Sequence, residues 1–327
     1  MTRRLFTFLV LAVAELGAMS MAFAATTPQA YPERPIRLVL GFPPGGGSDA
    51  VARTIAPKLH EALGQSWVID NRPGAGGNIA TEIVTQANPD GYTVLMGFST
   101  TLTANPMLYK VPYVVSRDLQ PVINLAVGRD VLVLHPSVKV KSLQEFIDLA
   151  KAKPGVINYA SAGVGSAAHL SAELFKAKTG INIVAVHYRG GGPSVVALLA
   201  GEVQVSFASL PSVLPFIKAG KLAALAVGGA KRAPAAPDIP TITESGFPGF
   251  EVTSWYGLLV PARTPPRIVK TLYETAQKAL QLAEVREQYA RQGLEIAGQG
   301  PEEFAAQIRA ETAVWTKVIR DTGIRVE

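Results

Sequence analysis

Four glycine-rich runs hold the residues best suited to chemistry. They are Gly41-Phe42-Pro43-Pro44-Gly45-Gly46-Gly47-Ser48-Asp49, Asn71-Arg72-Pro73-Gly74-Ala75-Gly76-Gly77-Asn78, Ser161-Ala162-Gly163-Val164-Gly165-Ser166-Ala167-Ala168-His169 and Tyr188-Arg189-Gly190-Gly191-Gly192-Pro193-Ser194. Each follows a short apolar run and precedes a helical pattern. Such a passage aims unpaired backbone N–H groups at whatever sits above the turn. Glycine lets the backbone come close to that guest. The chemistry offered is capture of an anion. The first run lacks the Lys-Ser/Thr of a nucleotide-binding loop, which argues against a triphosphate. Ser48 or Asp49 can cap the following helix and still leave other N–H groups free.

Hydroxyls stand beside these turns. Ser99, Thr100 and Thr101 follow one apolar run, and Ser206 and Ser209 flank the end of another. A hydroxyl donates to a carboxylate without the desolvation cost of an ion pair, and it serves equally to cap a loop. Arg72 and Arg189 read either as carboxylate clamps or as exposed loop arginines. His169 sits at a helix start. Trp67 and Trp315 read as core, and Trp255 as a ligand contact or hinge packing.

Reaction machinery is absent from the pattern. There is no Gly-x-Ser-x-Gly elbow, the four histidines are dispersed, and no acidic pair stands out. With no cysteine, lipid anchoring through a thiol, disulfides and thiolate metal sites are excluded. The expectation is a binder with no catalytic residue, no metal and no cofactor.

The elements that position these turns alternate between strand and helix. Apolar runs at Ile36–Leu40, Trp67–Asp70, Thr93–Met96 and Val122–Val127 form one series. Ile157–Ala160, Ile183–His187, Val203–Phe207 and Leu222–Val227 form a second, with Val131–Leu134 before it and Tyr256–Val260 after it. The alternation predicts α/β architecture with parallel sheets and ligands at the strand carboxyl ends. It implies two doubly wound domains joined by a two-crossing hinge near Val127–Asp130 and Gly228–Ser254. Domain 1 is expected over 25–127 and 229–327, and domain 2 over 128–228. Thr264 is expected to cap a helix opened by Pro265 and Pro266, and Pro301 to open another. Both are expected to pack on domain 1.

Arg3 and Arg4, the apolar stretch Leu5 to Ala14 and Ala22-Phe23-Ala24 read as a signal peptide cut near Ala24. The Arg-Arg start also fits a twin-arginine signal. Net charge is +6, and +5 without residues 1–24, which hold Arg3, Arg4 and Glu15. The basic residues are scattered without interleaved aromatics, which argues against nucleic acid as a partner. A mildly positive field favours a small anion.

These motifs together resemble the periplasmic solute receptors of tripartite tricarboxylate transporters, the Bug family. The resemblance rests on Pro32-Glu33-Arg34-Pro35-Ile36-Arg37 with Phe42–Asp49, on Asn71–Asn78 and on Pro89-Asp90-Gly91-Tyr92. It rests also on Tyr188–Pro193 and on Phe247-Pro248-Gly249-Phe250-Glu251 with Trp255-Tyr256-Gly257. It implies a type II periplasmic binding protein, expected as a monomer, that closes on a small carboxylate, an amino acid or an aromatic acid and hands it to a membrane permease. One ligand carboxylate would then be held by the Phe42–Asp49 and Gly76–Asn78 turns. Ser161–His169 and Tyr188–Gly191 would read the rest of the ligand.

Two other readings stay open on sequence. Gly163-x-Gly165-x-x-Ala168 after a strand matches a dinucleotide fingerprint, with Arg189 placed for a 2′-phosphate, as in an NADP-dependent oxidoreductase. A carboxylate sensor that docks to a signalling partner would carry the same turns.

Overall fold

The first apolar pentad, Ile36–Leu40 (β1), runs through its glycine-rich turn into Gly47–Leu63 (α1), which Gly64 closes in the left-handed region at φ 68°. Trp67–Asn71 (β2), a 3-10 turn at Ala75–Gly77, Asn78–Thr85 (α2) and Thr93–Phe98 (β3) follow. The order β2-β1-β3 is parallel, as the alternation predicts. This computed structural model describes residues 31–250 and 252–325. The signal peptide expected over residues 1–24 lies outside the described residues.

Three short helices, Ser99–Thr103, Asn105–Leu108 and Val115–Asp118, lead into Leu119–Leu134 (β4). Sequence reading divides it into two strands around Gly128-Arg129-Asp130. The chain stays extended there because its backbone is satisfied on both sides of the interruption. Gly128 and Arg129 pair with Ser254 and Thr253, and Asp130 pairs with Ser209.

The second series is Leu143–Ala152 (α3), Asn158–Ser161 (β5), Ala167–Thr179 (α4), Val184–His187 (β6), Gly191–Leu199 (α5), Val205–Ser209 (β7), Leu210–Lys218 (α6) and Ala223–Val227 (β8). The strands β7-β5-β6 are again parallel. Thr253–Pro261 (β9), Pro266–Gln281 (α7), Ala283–Gln292 (α8), Glu295–Gln299 (β10) and Pro301–Thr322 (α9) complete the chain.

The order β2-β1-β3-β9-β4-β7-β5-β6 makes two half-sheets that share β4. Up to Arg129, β4 pairs with β9, and with β10 along part of that length. From Asp130 onward it pairs with β7, and from Val131 also with β8. All of these pairings are antiparallel, a departure from the expected all-parallel sheets. The departure has a simple cause: β4 and β9 are the crossings, and a chain that leaves and returns runs both ways. Residues from Arg34 onward pack as one compact unit.

The proline-rich return does not leave the second half-sheet at once. Gly228 N–H donates to Asp130 O at 2.7 Å, and Phe247 and Phe250 pack on Phe175. At the C-terminus, Thr264 is not the cap: its hydroxyl donates back to Pro261 O, and Pro265 stands at the cap position. An extended Leu282 splits off α8, and sequence reading missed both α8 and β10. Helix α9 also departs from the expectation of packing on one domain. Phe304 and Ile308 join Val39, Leu95 and Trp255, whereas Trp315 joins Phe146, Phe175 and Phe207. Trp255 is core: it is fully buried, meets Phe304 edge-on and donates to Glu311 at 2.6 Å.

Candidate ligand-binding site

Gly46 stands at the cap position of helix α1 and offers no side-chain cap, so the first N–H groups of the helix remain open. The turn before it is held from below. Asn71 Nδ2 donates to Phe42 O at 2.8 Å, and Asp49 Oδ2 accepts from Gly45 N–H at 3.1 Å and from Arg53 at 2.8 Å. Asp49 therefore braces the turn. Gly47 is required sterically: a Cβ there would overlap the Tyr256 hydroxyl and lie 3.0 Å from Ser209 Oγ.

Two further helix starts face α1. Ser166 caps α4 by accepting from His169 N–H, and His169 Nδ1 accepts from Gly165 N–H at 3.2 Å. Burial and then the charge of neighbouring His187 hold the His169 imidazole down at about 4, so it stays the neutral acceptor that this contact needs. Ser161 braces the same turn through Gly163 N–H and His187. Helix α5 starts at Gly190, again without a side-chain cap, and Ser194 donates to Gly191 O. Gly190 has φ 122°, and a Cβ on it would run into the Pro43 ring, so the two turns meet backbone to ring.

These starts enclose an inner cavity of about 60 Å³. Phe42, Gly46, Gly47 and Ser48 line one wall with Phe98 and Tyr256. Ala162, Ser166 to Ala168, Gly191, Ser194 and Val195 line the other. Phe207 to Ser209, Ser212 and Asp130 form the floor. Phe42 meets Phe98 edge-on at 5.3 Å, and Phe98 meets Tyr256 at 5.3 Å. The wall is thus apolar between its open amides. An outer cavity of about 440 Å³ shares Phe42 and Ala162 with it. Pro43, Gly76, Gly77, Gly163, Tyr188, Arg189 and Gly190 line this outer space.

The residues predicted from sequence therefore fall into three groups. Phe42, Gly46, Ser48 and Ser166 face the inner cavity, and those just named face the outer one. Pro44, Gly45, Asp49, Asn78, Ser99, Thr100, Ser161, Gly165, His169 and Ser206 line neither. Asn78 accepts from Tyr113, and Ser206 donates to Ala160 O between β7 and β5. Ser99 and Thr100 are buried directly after Phe98. Arg72 is engaged with Asp70, whereas Arg189 is exposed.

Sequence reasoning missed Phe98, Asp130, Phe207 and Tyr256, and it left Ser209 open between a carboxylate donor and a loop cap. One signal was available: Asp130 is an acid inside the apolar run from Val122 to Leu134. The space above the Gly163–Ala168 fingerprint is not free for a pyrophosphate. Tyr109 donates to Val164 O at 2.7 Å, and Gly165 lies against Asn105.

The profile of the TctC family, described as tripartite tricarboxylate transporter family receptor, matches residues 51–324. Protein BugT of Bordetella pertussis (strain Tohama I) is 38% identical over 306 residues, covering 93% of this chain and 94% of BugT. The solved structure of R. palustris Rpa4515 with adipate is 37% identical, with a TM-score of 0.88 over 90% of this chain and 99% of that one. MatC (Rpa3494) from Rhodopseudomonas palustris with bound malate is 32% identical, with a TM-score of 0.85 over 88% of this chain and 100% of that one.

Proposed function

This chain belongs to the TctC family of tripartite tricarboxylate transporter receptors, and on that premise we propose that it captures a small carboxylate in the cleft described above. One observation carries the reading: the starts of α1, α4 and α5 converge on one cavity, and α1 and α5 have no side-chain cap. Open amides and the helix dipoles compensate an anion without a formal cation. Closure on the ligand would exclude water and so strengthen each of these contacts.

The two half-sheets act as lobes, near the expected 25–127 with 229–327 and 128–228 except that the return through Phe247 and Phe250 stays on the second, and they close around the ligand about the β4 and β9 crossings. The Gly76–Asn78 and Ser161–His169 turns shape the approach to the site and Tyr188 to Gly190 its rim. The chain works as a monomer in the periplasm after cleavage near Ala24, and it delivers its ligand to the membrane permease subunits of the transporter. Relatives bound to adipate and malate support the carboxylate class.

A thermal-shift screen against mono-, di- and tricarboxylates, amino acids and NADP tests the reading, since a ligand that binds only the folded state raises the melting point. Carboxylates are expected to raise it and NADP to leave it unchanged. A response to NADP with none to any acid would overturn the reading.

A further inference from the structure

Asp130 is the one charged side chain among the described residues lining the inner cavity. It is 3% exposed and sits where β4 passes from one half-sheet to the other. Around it are hydroxyls. Ser171 on α4 donates to Oδ2 at 3.1 Å, and Ser254 lies beside it outside hydrogen-bond geometry. Ser209 on β7 pairs directly opposite it, and Tyr256 is on β9. Arg129, next along β4, is engaged with Glu295. Among the described residues, no lysine or arginine pairs with Asp130.

A carboxylate buried without a cation is costly, and a fold tolerates it where something else completes the site. The rest of the cavity already supplies what an anion needs, in the open amides of α1 and α5. A second ligand carboxylate placed at the floor would find no cation to pair with. A ligand ammonium at the same place would meet its opposite charge on a carboxyl that is itself buried, where such a pair is strong.

We infer that Asp130 sets the specificity of this site by pairing with a ligand ammonium, so that the preferred ligand is an amino acid: carboxylate on the helix-start amides, ammonium on Asp130. The inference rests on the carboxylate-receptor reading and adds the second half of the ligand to it. It also separates this chain from the relatives that hold adipate or malate, which carry an acid at each end.

The test is calorimetric titration of the purified protein, stripped of ligand by unfolding and refolding. The probes are alanine, β-alanine and 4-aminobutyrate, against propionate, succinate and glutarate as acids matched in carbon skeleton or chain span. At least one amino acid is expected to bind about tenfold or more tightly than its matched acid, and Asp130→Asn to reduce that preference to about threefold or less. Tighter binding of the matched acids by the unaltered protein, or an undiminished preference in Asp130→Asn, would overturn the inference while leaving the carboxylate reading intact. Were no acid of either series to bind, both would fall. The preference of the unaltered protein decides the question even if the variant does not fold.

Discussion

The Tyr109 hydroxyl donates to the Val164 carbonyl at 2.7 Å, and this one bond ties the segment after β3 to the glycine-rich turn after β5. Tyr109 and Val164 line the same outer cavity as Pro43 and Gly190. Tyr109 and Val164 stand on the two lobes proposed above, so under that reading closure makes the bond and opening breaks it. Tyr109→Phe removes it without changing ring volume. A neutral hydrogen bond is worth about 1 kcal/mol net, so ligand affinity should fall roughly fivefold. The melting point without ligand should move little. An unchanged dissociation constant in titration calorimetry would show that the bond plays no part in holding the ligand.

Gly47 offers a sharper steric test. Alanine is a better helix former than glycine, so Gly47→Ala gains slightly from local propensity. The added Cβ collides with the Tyr256 hydroxyl and crowds Ser209, which pushes α1 away from the cavity. Overpacking of this kind typically costs about 1–3 kcal/mol. Affinity for the ligand is expected to fall by about tenfold or more, as read by the same titration.

Two buried titratable groups give pH dependences of opposite sign. His169 holds its proton less readily in the fold, at about 4, because burial and His187 disfavour the imidazolium. Its contribution to stability is present above the ordinary histidine range near 6.5 and is lost as pH falls toward 4. His169→Gln, which cannot titrate, should flatten the acid limb of a plot of melting point against pH. Gly165 N–H, which now donates to Nδ1, retains an acceptor in the glutamine carbonyl if that side chain reaches it.

Asp130 runs the other way. Burial raises its carboxyl to about 7, with the Ser171 hydroxyl holding it back. The folded state therefore holds a proton that the unfolded chain has already lost, and stability falls as pH rises from about 4 to about 7. The effect is on the order of a few kcal/mol. In the absence of ligand, Asp130→Asn should melt higher than the unaltered protein at pH 8 by a wider margin than at pH 5. Equal margins at both values would mean that the carboxyl does not titrate in this window.

Glu311 is buried beside Trp255, and burial raises its carboxyl despite donors from Gln307 and Trp255. Trp255→Phe removes one donor and part of the packing on Phe304. The expected loss is about 2–4 kcal/mol of stability with little change in ligand affinity, because Trp255 lines neither cavity. Chemical denaturation and titration of the same variant check the two halves of this statement.

Local features were readable from the chain because their causes are local. Ile36–Leu40 reads as a strand from its apolar run, and α1 ends at Gly64 because a left-handed residue is needed there. The turns at Gly41–Asp49 and Ser161–His169 announce themselves by glycines that must approach another backbone. The signature resemblance added the family because those turns sit at fixed places along the chain. Tertiary structure decided which side chains face the ligand. Asp130 and Ser209 are adjacent only because β4 and β7 pair, although 79 positions separate them. Ser206 and Ser209 look alike in sequence, yet strand register turns one toward Ala160 and leaves the other at the cavity floor. Tyr256 reaches Gly47 only after the chain has crossed to the second half-sheet and returned. Sequence patterns report period and propensity, which act over a few residues. The composition of a cavity depends on pairings made across the whole chain.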